Sequence, residues 1–201
     1  MCVAQAAPID SYEAVRLGVW RVLDEVARDI DVRGKRVLLK PNVCAPVAWE
    51  TGAVTNPLVV KAVAEWMFEK GASKVDVGED PIIGVDLSKA YELSGLAEVL
   101  REMGIGLLHL ASEGAVRVEV SQGEVLKNIE VSSLLNRYDL WVSVPVMKTH
   151  ILTTVTLGLK NTKGVLPAKS KRKMHFIGLD QAIADLYTCL LYTSPSPRDR
   201  G

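Results

Sequence analysis

The segment VPVMKTHILTTVTLGLKNTKGVLP, residues 144–167, places one of the three histidines of the chain among lysines, directly after an apolar run. His150 follows Lys148 closely and precedes Lys160. Nearby positive charges lower the pKa of an imidazole and keep it neutral near pH 7, the form that acts as a base or binds a metal ion. The pattern predicts His150 as a catalytic acid–base residue, and a structural histidine is the alternative.

More polar side chains follow in the glycine-flanked stretch GLKNTKG, residues 158–164. Glycines let a ligand approach the backbone closely, and lysines supply charge for an anion or a nucleophilic amine. We therefore expect Lys160 to be catalytic and Asn161 and Lys163 to bind substrate. A flexible, solvated loop is the alternative.

The basic run KSKRK, residues 169–173, is typical of a solvated loop, with attraction of a phosphate or substrate as the alternative. His175 follows this run, and we expect it to face the same crevice as a catalytic residue. A metal site formed by His150 and His175 is a further interpretation that the pattern leaves open.

Three polar segments each follow an apolar run: KPN at 40–42, GEDP at 78–81 and MKTH at 147–150. In open parallel sheets, ligands bind beyond the carboxyl ends of the strands, where such segments converge. The sequence therefore predicts a crevice for a small anionic molecule, with substrate-binding residues Lys40, Asn42, Thr55, Asn56, Glu79 and Lys148.

Each of these residues also has an ordinary structural interpretation. Thr55 and Asn56 precede Pro57 and are typical caps of a helix that begins there. Glu79 is a typical turn carboxylate at a helix or strand end. Lys40 precedes a proline and is typical of a solvated loop.

The elements that must position these residues alternate along the chain. Short β-rich runs alternate with amphipathic helical stretches, which predicts an α/β fold with a mostly parallel sheet flanked by helices. The runs 116–120 and 125–131 alternate in polarity and predict a small antiparallel hairpin. Strands are predicted near 3–6, 37–39, 74–78, 105–110 and 138–146. Helices are predicted over 11–28, 57–70, 88–103 and 178–187, and the third of these has a predicted break near Gly95.

The composition is that of an ordinary globular domain, since 48% of the 201 residues are hydrophobic and 24 basic residues balance 24 acidic ones. Neither nucleic acid nor a membrane is indicated as a partner, because no basic excess and no apolar run of about 18 residues occurs. We expect a cytoplasmic protein. The three cysteines lack a CxxC spacing, so we expect small buried hydrophobes rather than metal ligands. The oligomeric state is open.

The last residues, CLLYTSPSPRDRG at 189–201, depart from the helical pattern before them. Back-translation of residues 189–199 gives a DNA sequence that resembles a transposase-type sequencing adapter. We therefore expect residues 1–188 to be a single α/β domain, truncated at its C-terminus, and residues 189–201 to be a non-native tail. A native disordered tail is the alternative. The underlying DNA read decides between the two.

Several motifs together resemble one protein family. These motifs are VLLKPNV, TNPLVVKAV, a strand ending in VGE and the segment from 144 to 167, followed by His175 and GLDQAIADL. Together they resemble the domain of unknown function 362 (DUF362) over roughly residues 3–187. The resemblance implies an α/β fold and leaves the reaction open. Some members carry a ferredoxin-like cysteine module, which implies an iron–sulfur cluster in a C-terminal part that the expected truncation would remove.

The order of His150, Lys160 and His175 is similar to that in the nickel-pincer lactate racemases. This second similarity implies that His150 is the proton-transfer base, Lys160 the anchor of a nickel-pincer cofactor, and His175 the metal ligand.

Two functions stay open. The first is an enzyme, racemase- or isomerase-like or redox-associated, that uses His150 in acid–base work on a small anionic substrate. The second is a non-catalytic ligand-binding or electron-transfer-associated module, in which the same lysines hold a ligand or a partner.

Overall fold

A computed structural model describes Ala4 and residues 8–193, with side chains described as far as Leu190. Its centre is a four-stranded parallel sheet, which confirms the predicted α/β class. The predicted strand at 3–6 lies outside the described residues except for Ala4. The strands are β1 (Arg36–Pro41), β2 (Lys74–Glu79), β3 (Gly106–His109) and β6 (Leu140–Val144), in the spatial order β3-β2-β1-β6.

Strand β1 lies in the middle of the sheet because its apolar run is buried on both faces. Val37, Leu38 and Leu39 are each fully buried. Val37 pairs with Val75 of β2 and with Leu140 of β6, so all three strands run parallel and in register. Their carboxyl ends therefore meet at one edge of the sheet, which is the edge at which the predicted site lies.

Four helices cover the first face, where Val37 and Leu39 pack against them. Ser11 caps the first helix by accepting from Ala14 N. Gly95, with a φ of 79°, separates the third and fourth helices, as predicted. The helices are α1 (Tyr12–Val26), α2 (Pro57–Glu69), α3 (Leu87–Leu93) and α4 (Leu96–Glu102).

The second face is covered by two helices and by an antiparallel hairpin. Leu38 packs there with Met174 and Leu186 of the helices and with Ile129 of the hairpin. The hairpin confirms the one predicted from the alternating pattern. These elements are α6 (Ala168–Ile177), α7 (Leu179–Thr193), β4 (Ala115–Glu119) and β5 (Asn128–Ser132).

A second, smaller hairpin was not predicted. It pairs β7 (Lys148–His150) with β8 (Thr154–Thr156), and Thr154, the first residue of β8, has a positive φ of 59°. Strands of three residues are too short to show an alternating pattern, so the sequence predicted only a loop here. A short helix, α5 (Gly158–Asn161), and a 3-10 turn over Thr162–Val165 follow the hairpin.

Two expectations about the C-terminal third are corrected. The basic run at 169–173 is not a solvated loop, because it lies in α6 and Lys171 is buried. Helix α7 also continues past position 188 to Thr193, and Cys189 is buried in the second-face core. Residues 194–201 lie outside the described residues, and the origin of 189–201 stays a prediction. None of the described helices has the length and apolar character to cross a membrane.

Candidate functional site

A cleft of about 170 Å³ lies at the carboxyl edge of the sheet, where two of the three predicted segments, KPN and GEDP, meet. Most of the predicted site residues line it. Two predicted residues near it, Lys148 and His150, belong to the small hairpin at its border. The predicted residues in the lining are Lys40, Asn42, Glu79, Lys160, Asn161, Lys163 and His175.

A buried ion pair forms the floor of the cleft. Lys40 Nζ lies 2.8 and 2.9 Å from the two carboxylate oxygens of Glu79, and both side chains are almost fully buried. The Lys40 ammonium also donates to Pro41 O at 3.0 Å. Burial lowers the pKa of Lys40, and the charge of Glu79 opposes that shift. The ammonium is thus fully engaged with protein atoms, which favours a positioning role.

Asn161 and Gly164 hold this ion pair from the other side. Asn161 Oδ1 accepts from Lys40 Nζ at 2.9 Å, and its Nδ2 donates to Lys40 O at 3.0 Å and to Ser143 Oγ at 2.9 Å. A Cβ at position 164 would lie inside van der Waals contact of both Glu79 Oε1 and Lys40 Nζ. Only glycine fits there, so the stretch after Lys160 is fixed against the strand ends.

A second carboxylate, Asp80, is also neutralised. Its side chain bonds to the Lys171 ammonium, which donates further to the carbonyl oxygens of Asp80 and Pro81 at 2.7 Å each. His109 Nε2 lies 2.7 Å from the other Asp80 oxygen. The sequence did not predict Lys171 as a site residue, because its burial depends on a contact between segments far apart in the chain.

Lys148 and Thr55 connect the hairpin to the loop after β1. Lys148 Nζ donates to Asn42 Oδ1 at 2.9 Å and to Ala53 O, and it lies 3.2 Å from Cys44 Sγ. Thr55 Oγ1 accepts from Asn42 N at 2.8 Å and donates to Val144 O at 2.9 Å. Both residues thus shape one end of the cleft.

Asn56 lies apart from the cleft. Its Oδ1 accepts from Leu58 N at 2.8 Å at the start of α2, and its Nδ2 donates to Ile9 O at 3.2 Å. These contacts give Asn56 the capping role that the sequence offered as its alternative. Its predicted role in substrate binding is unsupported by any contact with the cleft.

Lys160 and Lys163 differ from the other lysines of the cleft, because no carboxylate of the described residues pairs with either. Lys160 Nζ has only Thr156 Oγ1 at 3.5 Å, and Lys163 Nζ lies 3.0 Å from His175 Nε2. Burial, followed by the charges of Lys160 and Lys171, lowers the pKa of Lys163 to about 8. Burial and the charge of Lys148 lower the pKa of Lys160.

His150 has a defined tautomer. Its Nδ1 accepts from Leu152 N at 3.0 Å and from Thr153 N at 3.2 Å, so the neutral ring carries its proton on Nε2. Burial lowers the pKa of His150, and the charges of Lys160, Lys163 and Lys148 lower it further. The low pKa predicted from the neighbouring lysines agrees in direction with the structure, although burial is the larger cause.

The donor set of the cleft does not form a metal site by itself. No group of three or more histidine, cysteine, aspartate or glutamate side chains within the described part of the chain is arranged to hold a metal ion. The ammonium of Lys163 lies against His175 Nε2, and its charge opposes a cation there. Of the cysteines, Cys44 lines the cleft and Cys189 lies in the core, while Cys2 lies outside the described residues. The described residues thus contain no cysteine set for an iron–sulfur cluster, and the nickel-pincer roles of Lys160 and His175 stay predictions.

Two comparisons with known proteins found similar proteins. The chain is 29% identical to the "Thylakoid-associated protein sll1697" of Synechocystis sp. over 142 residues. That alignment covers 71% of this chain but only 42% of the relative, so the chain spans less than half of the relative's length. No solved structure matches the chain significantly. The similarity to nickel-pincer lactate racemases is not shown by these comparisons.

The relative's name associates it with thylakoids, and the cytoplasmic location expected for this chain stays a prediction. The family model described as "Domain of unknown function (DUF362)" matches residues 37–197, which include every strand of the sheet except Arg36 of β1, and all residues of the cleft lining. The chain therefore belongs to the DUF362 family.

Proposed function

We propose that the cleft binds a small anionic molecule through a carboxylate or phosphate group, and that the protein is an enzyme that moves a proton on that molecule. The observation that carries the proposal is the charge balance of the cleft. Glu79 and Asp80 are each paired with a lysine, whereas Lys160 and Lys163 are left without a carboxylate partner among the described residues.

Unpaired ammonium groups in a half-buried cleft favour an anion from solution. Each lysine has lost part of its hydration, and no carboxylate of the described residues replaces the lost water. A bound carboxylate or phosphate supplies the missing partner, with hydrogen bonds between ionised groups that are stronger than neutral ones. Lys160 and Lys163 are therefore the proposed anion-binding residues, and Lys148 adds positive charge at the border of the cleft.

Proton transfer is assigned to the pair of Lys163 and His175, and His150 is the proposed hydrogen-bond donor to the bound molecule. Nδ1 of neutral His150 accepts two backbone N–H groups, so its Nε2–H can stabilise a developing negative charge and the ring does not act as the base. Lys163, with a pKa of about 8, lies in contact with His175 Nε2, and this pair can release or take up a proton near neutral pH. A group that transfers a proton and a donor that stabilises the resulting negative charge are the two requirements of a racemase- or isomerase-like reaction.

Binding of inorganic phosphate and of lactate, measured by calorimetry at pH 7, tests the anion site. We expect Lys160→Met and Lys163→Met each to weaken binding by about 10- to 100-fold, the loss of one hydrogen bond to a charged group at about 1.5–3 kcal/mol. Lys173→Met is the matched control, because Lys173 lies on the same helix as His175 but donates to Asn128 O outside the cleft. Equal losses in all three variants contradict the proposal.

The enzyme and the binding module are separated by turnover. Exchange of the α-proton of lactate in deuterated water, followed by NMR, reports proton transfer directly. We expect His150→Ala to abolish exchange and to leave lactate affinity nearly unchanged. A wild-type protein that binds anions but exchanges no proton supports the non-catalytic module instead.

A further inference from the structure

The cleft has an apolar wall beside its cationic one. Ile82 and Ile83 line the same cleft as Lys160 and Lys163, and their side chains stay 59% and 38% exposed. The contacts of Lys171 with Asp80 O and Pro81 O hold this Ile–Ile segment next to α6. A site for a fully polar anion gains nothing from two isoleucines in its lining, so the wall needs another explanation.

More exposed apolar side chains flank the charged residues of the site. We define the apolar rim as Ile82 and Ile83 together with exposed apolar residues within two positions of His150, Lys160 or His175 in the sequence. Among these, Ile151 is 96% exposed and Phe176 is 90% exposed. Exposed apolar side chains grouped around a cleft are typical of a binding surface rather than of an ordinary solvated face. The rim residues are Ile82, Ile83, Ile151, Leu152, Leu159 and Phe176.

The size of the cleft limits what fits inside it. Its volume of about 170 Å³ is smaller than the roughly 300–1,000 Å³ of sites that enclose a drug-sized ligand. A carboxylate or phosphate group and its first carbons fit near Lys160 and Lys163. Any longer apolar part must leave the cleft, and the apolar rim is the surface it meets.

We propose that the ligand is an anionic amphiphile: a carboxylate or phosphate head group on an apolar chain. This inference rests on the proposed anion site and names its substrate class. Lys160 and Lys163 hold the head group, Ile82 and Ile83 contact the first carbons, and the rest of the chain lies on the rim. Each methylene buried there removes apolar surface from water, on the ligand and on the rim together.

A chain-length series tests this inference separately from the anion site. The probes are inorganic phosphate, butyl phosphate and octyl phosphate, titrated by calorimetry below the micelle concentration. We expect affinity to rise by about twofold for each added methylene, which is half of the ~0.8 kcal/mol for full burial because the rim is open. Butyl and octyl phosphate should then differ by about 16-fold, the product of four such steps.

Two variants test whether the rise of affinity with chain length depends on Ile82 and Ile83. Ile82→Ser with Ile83→Ser should flatten the rise of affinity with chain length. Ile30→Ser is the matched control, because Ile30 is 51% exposed but lies before β1, at the opposite edge of the sheet, and it should keep the full rise. If affinity does not rise with chain length in the wild-type protein, the amphiphile proposal is wrong, while the anion site can still bind phosphate. A rise that survives in the double variant also overturns it, and failure of all three probes to bind rejects the anion site itself.

Discussion

The buried pair of Lys40 and Glu79 permits a quantitative test of how the cleft is held together. In Lys40→Met, the Glu79 carboxylate loses two bonds to Nζ of 2.8 and 2.9 Å and keeps only the backbone N–H groups of Val43 and Asp80, at 3.0 and 2.9 Å. A charge left unpaired in a site that is almost fully buried costs about 3–5 kcal/mol.

The opposite single variant, Glu79→Gln, leaves the Lys40 ammonium with Pro41 O and Asn161 Oδ1 as its protein acceptors, besides the new amide oxygen. We expect a loss in the same range, because the buried positive charge has no counter-ion. The double variant removes both charges at once. Its loss should be close to that of either single variant, so the coupling energy should be about 3 kcal/mol or more.

Urea unfolding followed by circular dichroism measures the four proteins. With a slope of about 2 kcal/mol per molar urea, a loss of 4 kcal/mol lowers the midpoint by about 2 M. Glu25→Gln is a suitable control, since its ion pair with Arg28 is exposed and such pairs contribute about 0–1 kcal/mol. Losses that simply add in the double variant would refute the reasoning, because they would mean that the two charges do not stabilise each other.

Three further outcomes follow from the same contacts. Gly164→Ala should destabilise the fold by about 1–3 kcal/mol or more in urea unfolding, because its Cβ overlaps Lys40 and Glu79. Gly158→Ala, at a site with open space and likewise no positive φ, is the control for adding a methyl group without overlap. Phosphate binding should weaken as pH rises through about 8, where Lys163 loses its proton, and calorimetry of Lys163→Met should show no such step. Tyr138→Phe should cost about 1.5–3 kcal/mol by removing the 2.7 Å bond to buried Asp76, and an unchanged urea midpoint contradicts this.

Much of the fold was predictable from local pattern. The apolar run at 37–39 predicted a strand buried on both faces, and β1 is that strand. Ser11, Asn56 and Gly95 act where a short-range signal predicted them, because caps and left-handed glycines depend only on nearby backbone. The β7–β8 hairpin and the helix at 168–177 were missed, since three-residue strands and a lysine-rich helix carry weak periodicity.

The position of the candidate site was predictable from the sequence, but the ion pairs between its lysines and carboxylates were not. Polar residues after apolar strands indicated the carboxyl edge of the sheet, and Lys40, Glu79 and Lys160 do line one cleft there. The sequence contained a signal for the apolar wall, since two isoleucines follow GEDP directly. A pair of apolar residues in a loop is, however, too common to be interpreted by itself.

By itself, the sequence determined the α/β architecture, the edge of the sheet at which the candidate site lies and the concentration of lysines and histidines there. Only the tertiary structure decided which lysines are neutralised. Lys40 meets Glu79 and Asn161, and Lys171 meets Asp80, across separations of 39, 121 and 91 residues. An ammonium group is engaged or available according to whether a carboxylate lies within about 3 Å, and that distance is set by packing rather than by spacing along the chain.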